Sequence, residues 1–342
     1  MSAGAFSWPI AMRAMNAALC AYQIRAEGVR PSTQTPILRS VPGGNGAFFY
    51  DVAPAFQDAV GFVGPGDSYA PAFDATGPDL TDAALIGLTG DGYAILAFRG
   101  TLAPNFVRDD LVGWITDWLN DADAVQTPWP PDGHGRQESE AGFSRAVVAL
   151  WPWVEATLEP LLDRAPKGLI VTGHSKGGAM TFLGAALARA RWSAAALPIQ
   201  VYAFAPPVTG NAAFAAAYHA AGLGAATHRV QVAKDLVPFL PRWDAADIWS
   251  KIRVSGIVDR LGWDALVDLV DRVTGSGYVA VGSDTLIADD TGTVLTGNAA
   301  RDAALAGVVA AVEAETFAEI AAAHVGATSY LPKVAAAARI NG

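Results

Sequence analysis

Gly173-His174-Ser175-Lys176-Gly177 is a G-x-S-x-G pentapeptide in a chain of 342 residues. Leu169-Ile170-Val171 just before it is an apolar run of strand length, and 179–190 just after it is helix-forming. A serine at such a strand-to-helix corner has a strained backbone, an accessible hydroxyl and the positive end of a helix beside it. Side chains two residues to either side would crowd that corner, which accounts for Gly173 and Gly177. The chemistry this arrangement offers is nucleophilic attack by Ser175 on a carbonyl carbon, with the N–H of Lys176 available to the oxyanion. The alternative is a glycine-rich turn whose serine merely caps a helix.

A serine nucleophile needs a base and an acid that orients it, in the chain order Ser…Asp/Glu…His for this kind of turn. Asp235 follows the apolar run Val230-Gln231-Val232 and precedes Leu236-Val237-Pro238, so it falls just past the C-terminal end of a strand. His324 is the one histidine downstream of it; His134, His174, His219 and His228 all precede Asp235. His228 reads as the start of a strand and His219 as part of a helix, both in surface or packing roles. His174 reads as a supporting hydrogen-bonding residue with its side chain turned away from Ser175.

These residues need elements to hold them. Runs at 84–89 and 93–98, joined by Gly90-Asp91-Gly92, read as a hairpin. Strands are expected at 168–172, 200–205 and 229–232, and short ones at 278–281, 285–288 and 293–295. Helices are expected at 7–26, with Ser7 as N-cap and Pro9 in the first turn, and at 140–164 with an interruption near Pro152. Others fall at 176–191, from about 211, at 245–254, 263–273 and 301–323. Residues 31–80, rich in Pro and Gly, read as an irregular leader. Strands alternating with helices predict an α/β fold: a mainly parallel sheet with helices on both faces.

Composition bounds the function. With 33 acidic and 23 basic side chains the formal charge is −10, which argues against a nucleic-acid partner. The single Cys20 excludes an internal disulfide and a cysteine-based zinc site. Mean hydropathy is positive, but the longest stretch free of charged residues, 192–227, is broken by Pro206-Pro207, and 301–323 carries Glu313, Glu315 and Glu319. No signal-peptide pattern stands out near the N-terminus, so a cytoplasmic location is the default expectation, with non-Sec export left open.

The chain resembles the class 3 lipase family, the fungal triacylglycerol-lipase-like α/β-hydrolases. Ala97-Phe98-Arg99-Gly100-Thr101 is similar to the family's F-R-G-[ST] signature, and Asp117-Trp118-Leu119-Asn120-Asp121 to its D-W-x-x-D continuation. Ala141-Gly142-Phe143 resembles the segment that opens a helix, and Thr172 through Ala179 the nucleophile elbow. Phe204 through Asn211 and Asp235-Leu236-Val237-Pro238 resemble the next two blocks. The resemblance implies an α/β-hydrolase fold in a single domain over 1–342. It implies Ser175 as nucleophile, His324 as general base and acid, and Asp235 as its orienter. The N–H groups of Thr101 and Lys176 would form the oxyanion hole, and no metal or organic cofactor is needed. Departures are Lys176 where many members have Leu, Glu140 where His or Asp would precede Gly142, and extra residues at 102–116.

The implied activity is hydrolysis of acylglycerol-type or other apolar esters, with transient contact to lipid surfaces. Phospholipase or acyltransferase action on the same triad, and non-catalytic lipid binding, are the alternatives. Residues 102–119 are the lid candidate, with Leu102, Phe106, Trp114, Ile115 and Trp118 beside Arg108, Asp109 and Asp110; a core-packed helix is the competing reading. Residues 242–300 read as an inserted helical and hairpin segment. Trp243, Trp249 and Trp263 there read as core, or else as a second wall of an acyl pocket.

Overall fold

The computed structural model describes residues 5–26, 37–40, 47–50, 60–63, 72–76, 82–101, 126–130, 136–165, 167–193, 197–240 and 277–342. Helix α1 (Trp8–Ala21) leads into β1 (Ile24–Ala26), which forms a small antiparallel sheet with β3 (Ala47–Tyr50) and, beyond it, β2 (Ile37–Ser40). Next come β4 (Phe62–Val63), β5 (Ala72–Thr76), β6 (Asp82–Thr89) and β7 (Tyr93–Phe98). A second small sheet gathers β8 (Gln126–Pro128), β9 (Glu138–Glu140), β12 (Gly210–Asn211) and β14 (Tyr278–Val279). The remaining elements are α2 (Ala141–Leu162), β10 (Gly168–His174), α3 (Lys176–Arg191), β11 (Ile199–Phe204), α4 (Ala212–Ala220), β13 (Thr227–Val232), β15 (Ser283–Ile287), β16 (Val294–Thr296), α5 (Gly297–Glu313), α6 (Phe317–Ala323) and α7 (Leu331–Asn341).

The main sheet has nine strands in the order β16-β15-β13-β11-β10-β7-β6-β4, with β5 also paired to β6. Strands β7, β10, β11, β13 and β15 are mutually parallel, and the strands at both edges are antiparallel. A parallel strand must be covered on both faces, and the side chains show how. Leu169, Val171, Val201, Ala203, Leu96 and Phe98 pack with α2, α3 and α4 in one core. Their alternates Ile170, Tyr202, Phe204, Ile95 and Ala97 pack with α1 and α7 in the other. The period of two that marks each strand thus divides one apolar sequence between two cores.

Helix α2 runs unbroken through Pro152 and Pro160; both lie on its exposed side, as do Val148 and Ala156, whose carbonyls the prolines leave without an N–H donor and which water can reach. The departures from expectation cluster at element ends. Helix α1 stops at Ala21, and Ile24–Ala26 is a strand rather than a further helical turn. Among its described residues the leader contains four short strands. The segment expected as one helix over 301–323 is two, α5 and α6, separated at Glu315, whose φ of 55° is left-handed. Residues 283–296 supply two strands, β15 and β16, of the main sheet. The expected helices at 245–254 and 263–273 lie outside the described residues.

Candidate active site

Three segments distant in sequence meet at the C-terminal end of the parallel strands, where the apolar runs give way to polar corners. Ser175 stands between β10 and α3 with φ 60° and ψ −128°, a conformation that side chains rarely adopt. Its N–H donates to the Phe204 carbonyl at 3.0 Å, so the corner is anchored to the next strand and the hydroxyl is left free of the helix cap. A Cβ at Gly173 would collide with the Gly177 carbonyl, and one at Gly177 with the Phe98 carbonyl. The two glycines therefore permit the corner to close on itself and on β7.

The candidate base, His324, comes from the C-terminal part of the chain. His324 ends α6, and its Nε2 lies 2.8 Å from Ser175 Oγ. Its Nδ1 lies 3.1 Å from both carboxylate oxygens of Asp235. Ser175, His324 and Asp235 are 5%, 5% and 1% exposed, so these contacts are made with little competition from water. Asp235 follows a tight turn at Lys234, whose φ is 70°. Its Oδ1 accepts from the Val237 N–H at 3.0 Å and its Oδ2 from the Tyr330 hydroxyl at 2.6 Å.

Tyr330 was not singled out by sequence. It closes a π-helical turn, Gly326–Tyr330, immediately after the histidine, and it is fully buried. Burial, reinforced by the charge of Asp235, pushes its pKa well above that of a free phenol, so it keeps its proton and donates. An aromatic residue six positions after a histidine carries no recognisable signal; only the π-turn brings the two to one carboxylate.

His174 lies behind the base. Its ring centroid is 5.0 Å from that of His324, and its Nδ1 is 3.0 Å from the Tyr22 hydroxyl. Burial first, and the charge of a protonated His324 second, hold its pKa well below that of an ordinary histidine. His174 is therefore neutral and cannot compete for the proton that His324 would carry. His219 is exposed, and His228 is buried against Phe6 and Tyr202. His134 lies outside the described residues.

The two residues expected to offer oxyanion donors, Lys176 and Thr101, would do so through backbone. Lys176 is the first residue of α3, so its N–H is one of those a helix leaves without an internal acceptor. Thr101, half-buried, follows the end of β7. Register places β7 beside β10, Phe98 against Gly173, and a Cβ at Gly100 would come within 2.6 Å of the His174 carbonyl. The Arg99 guanidinium donates to the Ile24 carbonyl, tying this strand end to β1. Glu140, fully buried, accepts from the N–H groups of Gly142 and Phe143 at 2.9 and 2.6 Å and so caps α2, a bond type worth about 1 kcal/mol. Among the described residues no group of three His, Cys, Asp or Glu side chains could hold a metal ion, and no helix is long and apolar enough to cross a membrane. The lid candidate 102–119, with Trp243, Trp249 and Trp263, lies outside the described residues.

Residues 95–245 match the family model described as Lipase (class 3). This stretch of the chain is similar to the class 3 lipases. The matched segment contains the elbow, Thr101 and Asp235, while His324 and Tyr330 lie beyond it. A search of curated proteins gave no match. Among solved structures the chain is similar to a Rhizomucor miehei lipase propeptide complex, at 18% identity over 96% of this chain and 83% of that one, with a TM-score of 0.58. It is similar to a triacylglycerol lipase described as having a serine protease triad at its catalytic centre, at 20% identity over 85% of each chain, with a TM-score of 0.55. It is similar also to a mutant form of MDLA from Penicillium cyclopium, at 19% identity over 96% of each chain, with a TM-score of 0.53. At these identities the likeness is one of fold: the α/β sheet and its flanking helices match those of lipase structures.

Proposed function

We propose that this protein, similar over residues 95–245 to the class 3 lipases, is a serine carboxylic-ester hydrolase, cleaving acylglycerol-type or other apolar acyl esters through an acyl-enzyme on Ser175. The observation that carries the reading is the continuous buried line from Ser175 Oγ to His324 Nε2 at 2.8 Å and from His324 Nδ1 to Asp235 at 3.1 Å. That spacing is what proton transfer needs. Ser175 Oγ forms a bond to the acyl carbon while His324 Nε2 takes the hydroxyl proton. The imidazolium so formed faces Asp235, whose charge offsets it. The carbonyl oxygen, now an oxyanion, accepts from the N–H groups of Thr101 and Lys176, each such donor being worth about 3 kcal/mol in the transition state. His324 returns the proton to the departing alkoxide, leaving acyl-Ser175 and an alcohol. Water then attacks the acyl carbon with the same base and releases the acid and the free serine.

The substrate class rests on the match of residues 95–245 to the class 3 lipases and on the lipase structures that the fold resembles. The test is hydrolysis of short- and medium-chain p-nitrophenyl esters by the wild type and by Ser175→Ala. The wild type should release nitrophenolate, and the variant should be slower by about a millionfold in kcat. Equal rates for the two would remove Ser175 from the mechanism.

A further inference from the structure

Lys176 and Asp82 form a nearly buried ion pair beside this site. The Lys176 Nζ lies 2.7 Å from Asp82 Oδ1, and the two side chains are 16% and 9% exposed. The pair joins places two strands apart. Strand β7 lies between β10 and β6, with Phe98 paired to Gly173 on one side and to Ala84 on the other. Past the end of β7, the Arg99 N–H still donates to the Ala83 carbonyl at 2.9 Å. Gly100 and Thr101 therefore leave the sheet beside Asp82, the first residue of β6, with the His174 carbonyl close on their other flank. The Lys176 side chain crosses this gap from the first residue of α3 to the first residue of β6.

Burying two charges costs desolvation that their attraction only partly returns, so such a pair is weak as a source of stability. It does specify geometry, because breaking it leaves a buried charge alone. Here the geometry it specifies is the separation between the elbow and the segment 99–101, which carry the two oxyanion donors named above. We propose that Asp82 is a positioning residue for the oxyanion pocket: through Lys176 it straps the first turn of α3 to β6 across the end of β7 and so sets the spacing of the Lys176 and Thr101 N–H groups. The inference rests on the ester-hydrolase reading of the site.

The strap makes a distinctive demand. Both donors are main-chain groups, so Lys176→Met and Asp82→Asn remove neither of them. Each should nonetheless lower kcat about tenfold to a hundredfold, the scale of a small misplacement of catalytic groups, with KM within about twofold of wild type. The double variant Asp82→Asn/Lys176→Met should be no worse than the worse single one, since both break one link. Lys176→Arg, which can still reach the carboxylate, should recover most of kcat. Affinity for a boronic acid that mimics the tetrahedral intermediate should fall in proportion to kcat/KM, a readout that mere loss of stability would leave unmoved.

The measurement is steady-state hydrolysis of a p-nitrophenyl ester, with boronate inhibition and a thermal melt for each variant. Wild-type kcat in a folded Asp82→Asn variant overturns the strap. So does a kcat above wild type in that variant, which would mean that the freed Lys176 ammonium stabilises the oxyanion directly. Additive losses in the double variant overturn it as well. Wild-type activity in Ser175→Ala would instead bring down the underlying hydrolase reading, so the two failures are distinguishable.

Discussion

The two walls of the proposed site are fastened by different means. The acid–base wall is a chain of side-chain hydrogen bonds: Ser175 to His324, His324 to Asp235, and Asp235 to Tyr330 and the Val237 N–H. The oxyanion wall is main chain, held by close backbone packing at Gly173, Gly177 and Gly100 and by the Lys176–Asp82 pair. Side chains are needed where a proton moves, because the acceptor must change its charge and its partners must answer. Backbone suffices where a charge only has to be met by fixed dipoles. The first wall should therefore fail chemically when one residue is replaced, and the second should fail by steric displacement.

The largest effect expected is at the base. His324→Ala should lower kcat about a hundred-thousandfold and Asp235→Asn about ten-thousandfold, each in a protein that still folds. Steady-state kinetics with a circular-dichroism check would separate this from unfolding. A mild loss at either residue would dissolve the acid–base wall as drawn here.

Gly177→Ala tests the other wall. The new methyl meets the Phe98 carbonyl, a main-chain atom that cannot swing aside, so destabilisation of about 3 kcal/mol is expected. Denaturant titration measures it. An unchanged midpoint would show that the elbow has room the structure does not give it.

Tyr330→Phe is a smaller break in the first wall. It removes the 2.6 Å bond to Asp235 and leaves a buried carboxylate oxygen one partner short. A stability loss of about 2 kcal/mol is expected, with kcat reduced roughly tenfold. If kcat is unmoved while stability falls, the hydroxyl supports the fold and not the orientation of the acid.

The gentlest probe is pH. His174 has an ordinary histidine pKa in the unfolded chain and one well below 6.5 in the folded protein. Below about pH 6.5 the unfolded chain then binds more protons, so its contribution to stability is present above that pH and is lost as pH falls. His174→Gln should make the fall of stability between pH 6.5 and 5 shallower by up to about 1.4 kcal/mol per pH unit. An identical slope in the variant would mean that His174 takes up its proton without cost.

The same contrast separates what sequence could reveal from what it could not. The parallel strands and the elbow were legible because their signals are local: apolar runs of strand length, glycines at fixed offsets, a small-residue helix to follow. The helix expected over 301–323 was misread because its break falls at Glu315, a non-glycine held in a left-handed conformation that no composition rule marks. Asp82 and Tyr330 escaped for a related reason. One acts across two strands and the other through a π-turn, and neither relation has a spacing in the chain. Helix α7, which covers the sheet beside α1, was not anticipated either.

The central claim is that Ser175 is the residue that carries the acyl group. Its most direct test is treatment with a p-nitrophenyl alkylphosphonate, which phosphonylates an activated serine, followed by mass spectrometry of the digested protein. One adduct on the peptide containing Ser175 is predicted in the wild type. None is predicted in Ser175→Ala, and labelling should slow sharply in His324→Ala. Stoichiometric labelling at another residue, or ester hydrolysis that survives full modification of Ser175, would contradict the account.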